Sequence, residues 1–105
     1  MLHSDAAADS VRSQFADDPD FCELLEVFAQ AIPERREGMT AAHRTGAYDA
    51  LQSQAHQMKG AGGGFGFPRL SELSAELEQA CKAHDPARIA GALEAVIGFM
   101  DRISI

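Results

Sequence analysis

Apolar residues recur at helical spacing along almost the whole chain, and this periodicity constrains the fold more than any other feature of the sequence. The clearest run follows the spacing i, i+3, i+4, i+7, i+8 and i+11 and consists of Phe21, Leu24, Leu25, Phe28, Ala29 and Ile32. An α-helix brings such positions onto one face. We therefore predict a long helix here, and we interpret Phe21, Leu24, Leu25 and Phe28 as core rather than interface.

Proline and glycine divide the periodic sequence into four long helices. Asp18-Pro19 and Asp85-Pro86 each place a capping carboxylate before a proline at the first helical position. Pro33 should kink or restart the first long helix, and Gly46 should end it. The later helices carry apolar stripes of their own, which are Tyr48, Leu51, Ala55 and Met58 in the second, Leu70, Leu73, Leu77, Ala80 and Cys81 in the third, and Ile89, Ala92, Leu93, Val96, Ile97, Met100 and Ile103 in the fourth.

Four amphipathic helices with short connections predict an all-α fold, an up-and-down four-helix bundle. A short amphipathic segment over residues 10–16, with Val11 and Phe15 as its apolar members, precedes the first long helix. No repeat or low-complexity linker interrupts the pattern, so we expect residues 1–105 to form a single domain. The predominance of good helix formers such as alanine, leucine and glutamate agrees with this fold.

Charge and composition exclude several classes of function. The formal net charge is −7, with 16 acidic and 9 basic residues and no basic cluster, so a nucleic-acid backbone would be repelled. The longest apolar stretches fall far short of the ~20 residues that a membrane helix needs. Cys22 and Cys81 lack CxxC spacing and suggest no disulfide framework. We expect both thiols to be buried or half-buried in helices of a cytoplasmic protein.

The segment from Ala55 to Gly66 stands out because a run of glycines follows a histidine. At about 100° of rotation per residue, a helix would place His56, Lys59, Gly60 and Gly63 on one face. Gly62 would lie with Leu51, Ala55 and Met58 on a neighbouring, core-directed face. The histidine should then point outward or into a shallow groove beside the glycines.

Two interpretations account for these glycines, each of which costs about 0.8–1.0 kcal/mol inside a helix relative to alanine. In the first, the helix ends at Lys59 and the glycines form a flexible loop. In the second, the helix continues, and the missing side chains let the backbone of another molecule approach His56. The shared face of His56 and Lys59 favours the second interpretation.

These residue types suit reversible carriage of a phosphoryl group. Neutral imidazole is a nucleophile near neutral pH, so His56 is the candidate acceptor. Lys59, one turn along, can place its ammonium group against phosphoryl oxygens as a point charge. Gly60, four residues after the histidine, leaves room for the group itself.

This segment resembles the histidine-containing phosphotransfer (HPt) family, and residues 55–67 are especially similar to the phosphoacceptor domains of bacterial chemotaxis histidine kinases. The resemblance implies a four-helix bundle, often with a short extra N-terminal helix, and phosphorylation of His56 on Nε2. The pattern shared with the family is His-x-x-Lys-Gly, a glycine ten residues after the histidine, and apolar positions on the next helix, here His56, Lys59, Gly60, Gly66, Phe67, Leu70 and Leu73.

The resemblance also assigns roles on the following helix. Glu78 matches the polar residue that commonly holds the other ring nitrogen, where a carboxylate would fix the tautomer and make Nε2 a better nucleophile. Lys82 lies near a position where some members have a basic residue that assists the phosphate. Many members carry serine shortly after the Lys-Gly pair, whereas this chain has Ala61 and Gly62. A hydroxyl contact to the imidazole ring or the phosphate is therefore missing, so Lys59 and Glu78 would be the main groups that support the phosphoacceptor.

The implied function is phosphotransfer in a bacterial two-component phosphorelay. His56 would exchange a phosphoryl group with the aspartate of a response-regulator receiver domain, and a hybrid or chemotaxis-type histidine kinase is a further expected partner. The receiver would supply Mg²⁺, so we expect no cofactor or metal held by this chain. Nothing in the sequence resembles an ATP-binding fold, so we expect a phosphocarrier rather than an enzyme. We further expect a monomer that binds neither nucleic acid nor membrane.

Two alternatives stay open at this point. The first is a helical adaptor that docks on a receiver or kinase domain without accepting phosphate. Some relatives within the family lack the histidine, and its presence here disfavours this alternative. A metal site can be drawn from His56, Glu78, Cys81 and His84, but nothing in the spacing shows that these side chains converge.

The other aromatic residues and histidines receive simpler interpretations. Phe65 and Phe67 follow the candidate phosphoacceptor and are candidates for a partly exposed docking patch, since a receiver needs an apolar surface to bind. His3, His43 and His84 lack the context of His56 and are interpreted as surface residues.

Overall fold

Four long helices make up most of the protein in the computed structural model, which describes residues 10–104. Helix α1 spans Cys22–Arg44, α2 spans Tyr48–Gly64, α3 spans Pro68–Lys82 and α4 spans Pro86–Met100. The most extensive packing is between α2 and α3, followed by α3 and α4, and α1 lies against α2 and α4. The predicted all-α four-helix bundle is confirmed. None of these helices is long and apolar enough to cross a membrane.

The two predicted Asp-Pro caps both begin helical structure. The Asp18 carboxylate accepts a hydrogen bond from the backbone N–H of Asp20 at 2.9 Å and starts a single 3₁₀ turn, Pro19–Phe21, which leads directly into α1. This turn is the short N-terminal helix of the bundle. The Asp85 carboxylate accepts from the backbone N–H of Arg88 at 3.2 Å and starts α4. Each cap satisfies a backbone donor that the first turn of a helix leaves without a partner.

The segment ahead of the 3₁₀ turn is a short strand followed by a turn over residues 14–17, not a helix. Strand β1, Val11–Arg12, pairs in parallel with β2, Ile103–Ser104, near the other end of the chain. The prediction that Ile103 belongs to the last helix is therefore wrong, since that helix ends at Met100. The Ser13 hydroxyl then donates to the carbonyl of Phe65 at 2.5 Å. Because its polar groups bond to distant parts of the chain, the amphipathic segment 10–16 is fixed as a strap across one end of the bundle.

Helix α1 continues through Pro33, so the proline does not restart the helix. Proline has no N–H, which leaves the carbonyl of Ala29 without its usual donor four residues later. The helix ends at Arg44, and Gly46 follows in the left-handed region with φ +73°. The predicted stop at this glycine is therefore confirmed.

The core is built from the faces on which the helices meet. Each helix contributes large side chains that are almost completely shielded from solvent. Phe28 on α1 stacks on both Phe65 and Phe67, which joins the start of α1 to the end of α2. The largest fully buried apolar side chains are those of Leu25, Met39, Leu51, Met58, Phe67, Leu70, Leu77, Ile89 and Val96.

Two expectations about apolar residues are wrong. Leu24 is 50% exposed rather than core, whereas Phe21 is partly buried and packs against the core. Leu25 faces the core, and Leu24 precedes it by about 100° of helical rotation, which turns its side chain away from the buried face. Phe67 is buried in the core and therefore cannot belong to an exposed docking patch, while Phe65 is partly buried against Phe28.

Candidate functional site

Helix α2 carries the candidate phosphoacceptor, and it continues through the glycine run to Gly64. The interpretation of the glycines as a continuing helix is therefore confirmed, and the interpretation as a flexible loop is wrong. A side chain added at Gly60 or Gly64 would meet open space, and one at Gly63 would make only ordinary contact with Ser71. The bundle itself does not require these three positions to be glycine, so they leave the outer face of α2 bare next to His56.

His56 stands on the outer face of α2 with its side chain 65% exposed. Its Nδ1 lies 2.9 Å from Oε2 of Glu78 on α3. An ionised carboxylate only accepts hydrogen bonds, so Nδ1 carries the proton and Nε2 keeps a free lone pair. The exposed ring is thus held by one nitrogen and available for chemistry at the other.

Glu78 is the centre of the charged cluster, and its side chain is only 7% exposed. Besides His56, it is paired with Lys59 on α2, whose Nζ lies 3.2 Å from Oε1. Lys82, one turn along α3, places its Nζ 3.7 Å from Oε2. The structure therefore brings His56, Lys59, Glu78 and Lys82 together in one cluster, with Gly60 on the neighbouring surface of α2.

The protonation state of Glu78 follows from these contacts. Burial raises the pKa of Glu78, but hydrogen bonds from Lys59 and His56, together with the charges of those groups, lower it by more. The pKa therefore lies below its ordinary value of 4.5. Glu78 is a carboxylate at neutral pH, which is the form that accepts a proton from Nδ1.

The close approach of α2 and α3 that brings His56 to Glu78 depends on Gly62. A Cβ at this position would lie 2.8 Å from the backbone nitrogen of Ser71 and 3.2 Å from the carbonyl oxygen of Phe67. One turn away, the Ser71 hydroxyl donates to the carbonyl of Lys59 at 2.8 Å. The predicted placement of Gly62 on the core-directed face of α2 is confirmed, but the sequence does not show how closely α3 approaches it.

A shallow polar groove of about 210 Å³ lies beside His56, and the residues that line it were not predicted. Its lining includes three uncharged polar side chains from α2, which are Gln52, Ser53 and Gln57, together with His56 and Glu78. Helical spacing alone could have indicated Ser53 as a neighbour of His56, since the two lie three residues apart. The expected placement of His56 in or beside a shallow groove is confirmed.

The remaining histidines and cysteines lie outside this cluster. His43 is partly buried, with its ring 6.4 Å from that of Tyr48, and His84 is exposed, while His3 lies outside the described residues. Cys81 is buried, which raises the pKa of its thiol, but Cys22 is exposed, contrary to expectation. Within residues 10–104, no group of three or more His, Cys, Asp or Glu side chains is placed to hold a metal ion.

Comparison with known proteins identifies one family. A family model described as the Hpt domain matches residues 23–104. The match begins within the first turn of α1 and includes the other three helices, so it covers the whole charged cluster. No curated protein and no solved structure matches the chain. The resemblance inferred from the motif is thereby confirmed for the family.

Proposed function

The chain belongs to the Hpt domain family, whose members carry phosphoryl groups on histidine in phosphorelays, and from this premise we propose that its own acceptor is Nε2 of His56. The single observation that carries the proposal is an exposed imidazole whose Nδ1 is hydrogen-bonded to a buried carboxylate. That arrangement leaves Nε2 as the nucleophile and gives the ring a fixed orientation.

The proposed transfer is a displacement at phosphorus. The Nε2 lone pair of His56 attacks the phosphorus of a receiver's aspartyl phosphate, the P–O bond breaks, and its electron pair returns to the aspartate carboxylate. The proton on Nδ1 stays between His56 and Glu78, so the positive charge that the ring acquires faces a carboxylate. Transfer from His56 to a receiver follows the same path in reverse.

The neighbouring residues have separate proposed roles. Lys59 and Lys82 are both exposed enough to turn from Glu78 toward the phosphoryl oxygens, and Lys59 is the closer of the two to Glu78. Ammonium groups in that position would offset negative charge during transfer. Gly60 would leave space for the phosphoryl group and for the backbone of the partner, which its open surroundings support.

The proposed partners are a response-regulator receiver domain and a hybrid or chemotaxis-type histidine kinase. We assign Mg²⁺ to the receiver, since this chain needs to bring only the nucleophile. We also propose that the protein works as a phosphocarrier in the bacterial cytoplasm, where it would link these two partners. The net charge of −7 favours a protein partner over nucleic acid.

Labelling of a substituted protein tests the acceptor. Incubation with phosphorylated receiver domains should give the wild-type chain an acid-labile, base-stable phosphate, and His56→Gln should abolish it. His84→Gln is the matched control, since His84 is exposed and lies outside the cluster, and it should be labelled like wild type. Both variants should keep the helical circular dichroism spectrum.

Two outcomes would contradict the proposal in different ways. Undiminished labelling of His56→Gln would mean that another residue is the acceptor. A wild-type chain that binds receivers without being labelled, and whose affinity is unchanged in His56→Gln, would instead indicate the adaptor function.

A further inference from the structure

The two ring nitrogens of His56 face different chemical surroundings. On a helical wheel centred on His56, Lys59 lies about 60° to one side, toward α3, where it is paired with Glu78. Ser53 lies about 60° to the other side, and Gln57 lies about 100° in that same direction. The two nitrogens of an imidazole ring point in largely opposite directions, so the bond from Nδ1 to Glu78 turns Nε2 away from that carboxylate. Ser53 and Gln57 are on the side of the helix away from Lys59 and line the groove beside the ring.

Ser53 and Gln57 both line the groove beside His56 and have donors to offer there. Both side chains are exposed, and neither forms a hydrogen bond or ion pair with another residue in the range 10–104. A serine hydroxyl provides one donor and a glutamine amide provides two. At about 210 Å³ the groove is several times the ~30 Å³ that a water molecule occupies in the liquid, so it has room for a phosphoryl group and solvent.

The two lysines of the cluster, by contrast, are already paired with Glu78. A phosphoryl group on Nε2 therefore meets uncharged donors on its own side of the ring before either ammonium group moves. Helical side chains lean toward the N-terminus of their helix, which tilts the His56 ring over the turn that holds Ser53.

We propose that the Ser53 hydroxyl and the Gln57 side-chain amide donate hydrogen bonds to the phosphoryl oxygens of phosphorylated His56. The inference rests on the proposed function, because it assumes that Nε2 is the atom that carries the group. It assigns Ser53 and Gln57 as positioning residues of the phosphorylated state, in a groove that they share with Glu78, which holds Nδ1. Donors of this kind stabilise the phosphoryl dianion and lower its affinity for a proton.

A partner-free titration tests this assignment. Phosphoramidate, which transfers a phosphoryl group to imidazole with release of ammonia, is used to label wild type, Ser53→Ala and Gln57→Glu. The ³¹P signal of phosphorylated His56 is identified by its absence from the spectrum of His56→Gln and followed against pH. Loss of one neutral donor should raise the proton affinity of the dianion about threefold in Ser53→Ala. The added carboxylate should raise it about tenfold in Gln57→Glu.

A matched charge change elsewhere provides the control. Gln30 is exposed on α1 and lies outside the groove, so Gln30→Glu should titrate like wild type. Identical titrations of wild type and Ser53→Ala would overturn the role of Ser53. An equal shift in Gln30→Glu and Gln57→Glu would mean that only net charge matters and would overturn the role of Gln57. Neither result would contradict the proposal that His56 is the phosphoacceptor. That proposal is contradicted if phosphorylated receivers do not label His56.

Discussion

Glu78 combines burial with three basic neighbours, and this combination decides its chemistry. A carboxylate with so little exposure is stable in its charged form only when paired and hydrogen-bonded. His56, Lys59 and Lys82 supply those partners from two helices. The residues that hold the candidate nucleophile are therefore also residues that join α2 to α3.

The acid sensitivity of the fold should reflect Glu78. Its pKa is lower in the folded chain than its ordinary value of 4.5, so its stabilising contribution is present above that pH and is lost as the pH falls through the folded pKa. Glu78→Gln should therefore lose less stability than wild type between about pH 6 and pH 3. Urea unfolding at several pH values measures this difference.

Glu76 provides the control for that measurement. It lies on the same helix and is paired with Arg88 at 3.5 Å, but both side chains are largely exposed. Exposed pairs contribute little because solvent screens them. Glu76→Gln should therefore keep the wild-type dependence of stability on pH. If stability depended equally weakly on pH in Glu76→Gln and Glu78→Gln, a special contribution from Glu78 would be contradicted.

Removal of the Lys59 ammonium group should slow phosphotransfer while leaving the bundle folded. Hydrogen bonds to charged groups contribute roughly 1.5–3 kcal/mol, so we expect Lys59→Ala to reduce the transfer rate at least about tenfold. Lys82→Ala should have a smaller effect, since its Nζ is farther from Glu78. Rapid-quench transfer from a phosphorylated receiver measures both rates. A wild-type rate in Lys59→Ala would rule out the electrostatic role.

At the scale of the helices, the glycines of α2 divide into two groups, and helical periodicity already places Gly62 on a different face from Gly60. Gly62 faces α3 at a distance that excludes a side chain, whereas Gly60 and Gly64 face open space. Periodicity and the Asp-Pro caps were enough to predict the helices and the face of His56. Whether a methyl group would fit at Gly62 depends on the separation of α2 and α3, and no local pattern encodes that separation.

Alanine substitutions should separate the two groups of glycines. Gly64→Ala should stabilise the bundle by about 1 kcal/mol, because alanine favours a helix and its methyl group meets nothing. Gly62→Ala should instead destabilise it by about 1–3 kcal/mol, because the methyl group would overlap the backbone of α3. Thermal or urea unfolding measures both. Stabilisation of Gly62→Ala would show that α3 can move away at little cost.

At the scale of the whole molecule, the strap of residues 10–16 joins parts of the chain that are far apart in sequence. β1 pairs with β2 beyond the last helix, the Ser13 hydroxyl reaches the carbonyl of Phe65, and the backbone N–H of Gln14 donates to the carbonyl of Gly66 at 2.8 Å. The amphipathic pattern of the segment gave no sign of this arrangement. Short strands are specified by their partners, and here the partners lie at the opposite end of the sequence and in the turn between α2 and α3.

Gly66 connects the strap to the bundle and can be tested against a second glycine. Both Gly66 and Gly46 have positive φ, at +84° and +73°, so alanine at either position incurs a backbone penalty of about 1–2 kcal/mol. A side chain at Gly46 would meet open space, whereas one at Gly66 would overlap Ser13 and Phe15 of the strap.

Gly66→Ala should therefore lose more stability than Gly46→Ala, and it should also release the strap. Release would be visible as faster amide hydrogen exchange at Val11 and Gln14, whose N–H groups donate to the carbonyls of Arg102 and Gly66. Gly46→Ala should keep those amides protected, since its penalty is confined to the turn after α1. Equal losses of stability, with both amides still protected in Gly66→Ala, would mean that the strap moves aside without affecting the bundle.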